Sequence, residues 1–192
     1  MAKRNEFKAD KPRSGFFSKL FLTQQQRAVL LKWVLYAAVL LVLSVVQDVL
    51  LSRGRLFGAT TELVPVAIFL ICLTEGVERG SVFSLVAACL YLFSGTAAGY
   101  YSIVVITAAA IGVTLFRQSY LQKGFAASML CTVAAMLLHT LCLFLIGLFL
   151  EKTTPGRIVS HFLSAFYSLL AAPALYPIVT GISSFGGEAW KE

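Results

Sequence analysis

Residues 124–150 form a run of 27 residues that contains no formally charged side chain. As a helix this run is about 40 Å long, which exceeds the roughly 30 Å hydrocarbon core of a bilayer. The same character extends along the chain, since 58% of its 192 residues are apolar and only 13% are charged. The sequence therefore predicts an all-α integral membrane protein without a separate soluble domain.

Hydropathy divides the chain into about six transmembrane spans, near residues 28–46, 62–73, 81–93, 100–116, 124–150 and 163–182. The second and third are short, so we expect them to take in flanking polar residues, to pack away from lipid, or to tilt and thin the bilayer. Pro173 and Pro177 should kink the sixth span. Lys32 lies near the start of the first span, where its side chain should reach towards the cytoplasm.

The basic residues predict the orientation. Eight of the sixteen Lys and Arg lie in the first 32 residues, and a cytoplasmic N-terminus places twelve of the sixteen inside. This asymmetry favours cytoplasmic termini on both ends of a six-span chain in a bacterial inner membrane. The expected organisation is a basic tail over 1–27, a membrane domain over 28–183 and a short cytoplasmic tail over 184–192. The excess charge is local to the tail and does not indicate nucleic-acid binding.

The N-terminal tail has an amphipathic pattern behind Ser14, a candidate helix N-cap. Its apolar side chains follow at helical spacing and are Phe16, Phe17, Leu20 and Phe21. Two interpretations fit, an interfacial helix or a loose tail whose aromatic side chains enter the headgroup region. In both, the basic tail meets anionic membrane lipid.

Ionisable residues at membrane depth are the first candidates for function. Asp48 and Glu62 flank the predicted outer loop that carries Arg53 and Arg55. These four residues predict either a salt-bridged loop or a rim that docks a partner.

His139 is the titratable side chain deep in the fifth span, with Cys142 three residues later on the same helix face. Two ligands are too few for a typical metal site, so the pattern favours an interhelical hydrogen bond over a proton relay or a metal. The four cysteines lie in apolar runs without metal-binding or redox spacing and are expected to be buried free thiols. No metal and no cofactor is predicted.

Residues 74–80 read TEGVERG and carry the closest pair of glutamates, Glu75 and Glu78, beside Arg79. No nucleophile or zinc-hydrolase motif accompanies them, so catalysis is not expected. The predicted topology makes this segment a cytoplasmic turn between the second and third spans, with its charges in water and glycines that permit a tight connection. It either closes a hairpin or also presents Glu75, Glu78 and Arg79 to a cytoplasmic partner.

The order and spacing of several short elements over residues 46–112 resemble the rod shape-determining protein MreD family. The matching positions are Val46-Gln47, Phe57-Gly58, the polar start of span two, Glu75-Gly76 with Gly80 and Phe83, and Ser94-Gly95-Thr96 with Gly99. The chain departs from the family at two places. Thr61-Glu62 stands where many members have proline and an acid or amide, and Tyr91-Leu92 stands where many have an aspartate.

The resemblance implies a non-enzymatic component of the bacterial cell-elongation machinery. It implies binding to an MreC-like protein and, through it, to MreB filaments and a RodA-type peptidoglycan synthase. A diverged paralogue is an alternative within this family. The family is thought to share a six-helix fold with the substrate-binding S components of energy-coupling-factor transporters, so a small-molecule uptake subunit is the second alternative. The absence of A-x-x-x-A spacing in span one argues against it.

Overall fold

The computed structural model describes residues 24–51, 60–95, 97–122 and 124–185. Over this part of the chain the protein is helical, with seven α-helices and no strand. A π-helical turn, Gln47–Leu51, continues α1, and a 3-10 turn, Pro155–Arg157, precedes α6. The α-helices are α1 Gln24–Val46, α2 Leu63–Glu75, α3 Val77–Phe93, α4 Tyr101–Tyr120, α5 Phe125–Phe149, α6 Ile158–Leu169 and α7 Ala172–Ser184.

Three helices are long and apolar enough to cross a membrane, namely α1 with its π-helical extension, α4 and α5. The predicted sixth span is two helices, α6 and α7, bent by 47° at a break between them; as a pair they add a fourth membrane-crossing candidate. Pro173 lies in the first turn of α7, where the absence of its N–H is tolerated. The proline-rich segment therefore breaks the span, which is a stronger effect than the expected kink.

Helix α2 is the centre of the bundle and contacts each of the other six α-helices. All its residues are buried except Thr74, which is half-buried. A helix that is apolar on every side belongs in a core, so among the three alternatives predicted for this short segment the burial favours packing away from lipid. Its 13 residues give a length of about 20 Å.

A single residue, Gly76, connects α2 to α3. Its φ of +84° lies in the region that favours glycine, so the chain can reverse between Glu75 and Val77 without an intervening loop. One turn into α3, Gly80 lies against Cys72 of α2. A Cβ built on Gly80 would lie 2.7 Å from the Cys72 Sγ and 2.9 Å from its Cα and carbonyl oxygen. The two helices therefore meet backbone to backbone at this point.

We expect Gly80→Ala to destabilise the protein by about 1–3 kcal/mol, because the added methyl group overlaps backbone atoms that cannot move independently of α2. Thermal unfolding in detergent micelles measures the change. Gly112→Ala in α4 is the matched control, since a Cβ there has no atom within 4 Å and alanine is the better helix former. Equal stability of the two variants would contradict the close approach.

The N-terminal segment with Ser14 and its aromatic residues lies outside the described residues, and so do most of the outer loop with Arg53 and Arg55 and the end of the C-terminal tail. The four cysteines are free, as predicted, but only two of them are buried. Cys72 and Cys131 are buried, Cys89 and Cys142 are half-buried, and all four are unpaired.

Candidate functional site

The main polar site in the described structure is a buried ion pair between α1 and the end of α2. The Lys32 Nζ lies 2.7 Å from the Glu75 Oε2, and the two side chains are only 2% and 4% exposed. The two residues are 43 positions apart in sequence. Burying two charges is costly unless the pair is close and its other hydrogen-bonding groups are also satisfied.

Tyr36, one turn after Lys32 on α1, supplies the second contact to the carboxylate. Its hydroxyl donates to the Glu75 Oε1 at 2.7 Å, so each carboxylate oxygen has its own donor. The same hydroxyl lies 3.4 Å from the carbonyl oxygen of Val179 in α7. The site thus joins α1, α2 and α7 through one carboxylate and one phenol.

Aromatic rings enclose this site. The ring centroids of Trp33, Tyr36 and Phe83 are 5.4–5.9 Å apart in each pair, and the Lys32 Nζ lies 5.5 Å from the Trp33 centroid. The ammonium group therefore has a carboxylate on one side and an aromatic ring nearby, an arrangement that stabilises a desolvated cation. Phe83 belongs to α3, so the cluster also joins the helical hairpin to α1.

A second cation contacts the same end of α2. The Arg117 Nη1 of α4 donates to the carbonyl oxygen of Leu73 at 2.5 Å. The carbonyl end of a helix carries partial negative charge, and Glu75 adds a full negative charge there. Lys32 and Arg117 together balance the partial charge of the helix end and the full charge of Glu75.

The other end of α2 is satisfied by side chains from distant parts of the chain. The Gln47 Oε1 accepts from the backbone N–H groups of Leu63 and Val64, at 2.8 and 3.2 Å. The Ser168 Oγ of α6 accepts from the N–H of Glu62 at 2.7 Å. Pro65, the third helical residue, has no N–H to satisfy. A short helix can therefore end inside the bundle, because protein groups replace the water that would otherwise cap it.

The expected positions of Glu75 and Lys32 were wrong. Glu75 is the last residue of α2 and is buried, so it does not lie in a water-exposed turn. Lys32 is buried against it and does not extend out of the bundle. The physical reason is the one-residue connection at Gly76, which keeps Glu75 inside the helix packing. Glu78 and Arg79 are exposed as expected, in the first turn of α3.

Two of the outer-boundary residues, Asp48 and Glu62, lie within the described structure. Asp48 lies in the π-helical turn and Glu62 directly precedes α2; both are half-buried. Because Arg53 and Arg55 lie outside the described residues, the salt-bridged loop and the docking rim both stay predictions.

His139 does not make the expected interhelical hydrogen bond. Its ring is buried, and neither ring nitrogen has a partner among the described residues. The ring instead packs edge-on against Phe69 of α2, with centroids 5.9 Å apart. Within the described ranges no three His, Cys, Asp or Glu side chains come together as a metal site.

The arrangement at the two ends of α2 positions helices. Polar groups connect α1, α4, α6 and α7 to the central helix, and the Phe83 ring adds α3. The sequence patterns singled out Glu75 and Gln47. They did not indicate that Tyr36, Arg117 and Ser168 contact the two ends of α2. No protein-family model, curated protein or solved structure matches the chain.

Proposed function

We propose that this protein is a non-enzymatic, multi-pass membrane component of the bacterial cell-elongation machinery, of the MreD type. In the proposed topology the chain crosses the inner membrane six times, with α6 and α7 forming one broken span and both termini in the cytoplasm. This assignment implies the six-helix fold that the family is thought to share with transporter S components. The basic N-terminal tail then lies at the anionic cytoplasmic leaflet.

One observation supports this proposal above the others. Four of the positions that carry the family resemblance contribute to the contacts that hold the central helix. Gln47 caps the start of α2, Glu75 receives Lys32 and Tyr36, Gly76 reverses the chain and Gly80 permits the close approach to Cys72. A spacing pattern in which several members have a structural reason is better support than the same pattern in sequence alone.

The departure from the family pattern also has a structural counterpart. Tyr91, which stands where many members have an aspartate, is buried, and its hydroxyl lies 3.5 Å from the Gln47 Nε2. A neutral phenol therefore occupies the interior near the cap of α2. This difference suits a diverged member whose outer half has adapted to its own partner.

One surface groove supports a partner-binding protein over a small-molecule uptake subunit. A groove on α6 is lined by apolar side chains, namely Ile158, Val159, Phe162, Leu163 and Phe166. Such a lining suits another apolar helix, whereas a vitamin-like ligand needs a few well-placed polar groups. The proposed partner is an MreC-like protein, linked in turn to MreB filaments and a RodA-type synthase.

Affinity purification of the tagged protein from its native membrane tests the proposal. We expect an MreC-like protein to be recovered in amounts comparable to the bait, because a stable complex survives mild detergent. Energy-coupling ATPases in its place would overturn the assignment and favour the uptake subunit. An unrelated tagged membrane protein of similar size, prepared in parallel, controls for non-specific recovery.

A further inference from the structure

The bend between α6 and α7 leaves backbone acceptors without the donors that a continuous helix would provide. Pro173 has no N–H for the Leu169 carbonyl four residues earlier, and Pro177 has none for the Pro173 carbonyl. Across the bend, Leu170 and Ala171 donate back to Phe166 and Ser168. Within the described residues no hydrogen bond reaches the carbonyl oxygens of Leu169 and Leu170.

The depth of the bend makes these acceptors costly. Leu170 follows the 12 residues of α6, so in a span that begins at Ile158 the bend lies about 18 Å from the start at the helical rise. This is near the middle of the hydrocarbon core. Irregular backbone is tolerated at that depth only where protein covers it or where it lines a water-filled cavity.

The chain covers only part of the bend, since Leu169 and Ala171 pack against the core whereas Leu170 is 65% exposed. The exposed surface continues along α6 through Phe166, at 60%, to Val159, at 70%. These residues recur at helical spacing and border the apolar groove on α6. In the part of the chain that the structure describes, a continuous apolar stripe therefore ends at a set of unpaired carbonyls.

We propose that the α6 groove and the α6–α7 bend together form the docking surface for a transmembrane helix of a partner protein. The helix lies along Val159, Phe162 and Phe166 with its apolar side chains. At mid-membrane it presents a hydroxyl or amide donor, such as a Ser, Thr or Asn side chain, to the free carbonyls at the bend. Lipid tails fill the apolar groove equally well but supply no donor, which is why the bend selects a polar-bearing helix. This deepens the proposed function by naming the surface that its partner occupies.

Site-specific photocross-linking in native membranes tests this surface. Benzoylphenylalanine replaces Phe166 or Leu170 in the full-length chain, one position at a time, and adducts are identified by mass spectrometry of the linked peptides. The controls carry the same group at Leu41 of α1 and Val104 of α4, which are 65% and 68% exposed and apolar. All four positions are exposed in the described structure, so the substitutions leave packing intact.

We expect adducts at Phe166 and Leu170 to contain a membrane-spanning peptide of a second protein, at least about tenfold more abundant than at the control positions. A peptide bearing Ser, Thr or Asn near its centre supports the proposal. Adducts with lipid alone, or with a second copy of this chain, overturn it. If an MreC-like protein is recovered but no α6 adduct forms, the docking surface is wrong and the proposed function stands. If an α6 adduct with another membrane protein forms but no MreC-like protein is recovered, the docking surface stands and the proposed function is wrong.

Discussion

Glu75→Gln should destabilise the protein by about 3–5 kcal/mol, because the substitution leaves the ammonium group of Lys32 buried without its counter-charge. The amide oxygen that the substitution introduces would still accept the Tyr36 hydroxyl, so the loss reports mainly on the ion pair. Thermal unfolding in detergent micelles, read as the fraction of monodisperse protein after heating, measures it. Partner recovery should fall in parallel, since α1, α2 and α7 meet at this carboxylate.

The double variant Lys32→Met with Glu75→Gln separates charge from packing. Removing both charges should restore most of the lost stability, because a buried pair is often replaceable by neutral side chains of similar volume. Glu78→Gln is the matched control. It removes an exposed charge three residues later and should change stability by less than about 0.5 kcal/mol. If Glu75→Gln were as harmless as this control, Glu75 would have to lie in water.

The helical architecture follows closely from the sequence because hydropathy depends only on neighbouring residues. Helices α1–α5 overlap five of the six predicted segments, with ends shifted by up to four residues, although only α1, α4 and α5 are each long and apolar enough to cross a membrane. The sixth differs because prolines at positions 173 and 177 affect backbone hydrogen bonds. Hydropathy does not record such bonds, so a broken span and a continuous one have the same apolar profile.

The polar interior was harder to predict because its partners are distant in sequence. One signal was present on α1, where Lys32, Tyr36 and Leu40 recur every four residues and share the buried face of the helix. This spacing places Lys32 towards the core. The identity of its partner depends on how α2 packs against α1, which no local pattern specifies. His139 illustrates the opposite error, since a polar residue in an apolar helix was expected to find a partner and packs against Phe69 instead.

The second large effect is expected at the opposite end of the central helix, for Gln47→Met. The side chain keeps its length but loses the oxygen that accepts from Leu63 and Val64. Each buried N–H left unpaired costs about 1–3 kcal/mol, so the sum is about 2–6 kcal/mol. Amide hydrogen exchange of the peptide that contains residues 60–70 should accelerate, because the first turn of α2 then opens more often.

Gln118→Met is the control for this substitution, since it removes the same amide from an exposed position in the last turn of α4. We expect its stability and its exchange near α2 to match the unsubstituted protein. The difference between the two variants tests whether the Gln47 cap is what allows a 13-residue helix to lie in the bundle centre. If Gln47→Met left exchange at residues 63 and 64 unchanged, water would have to reach the start of α2, and this end of the helix would lie at the membrane surface.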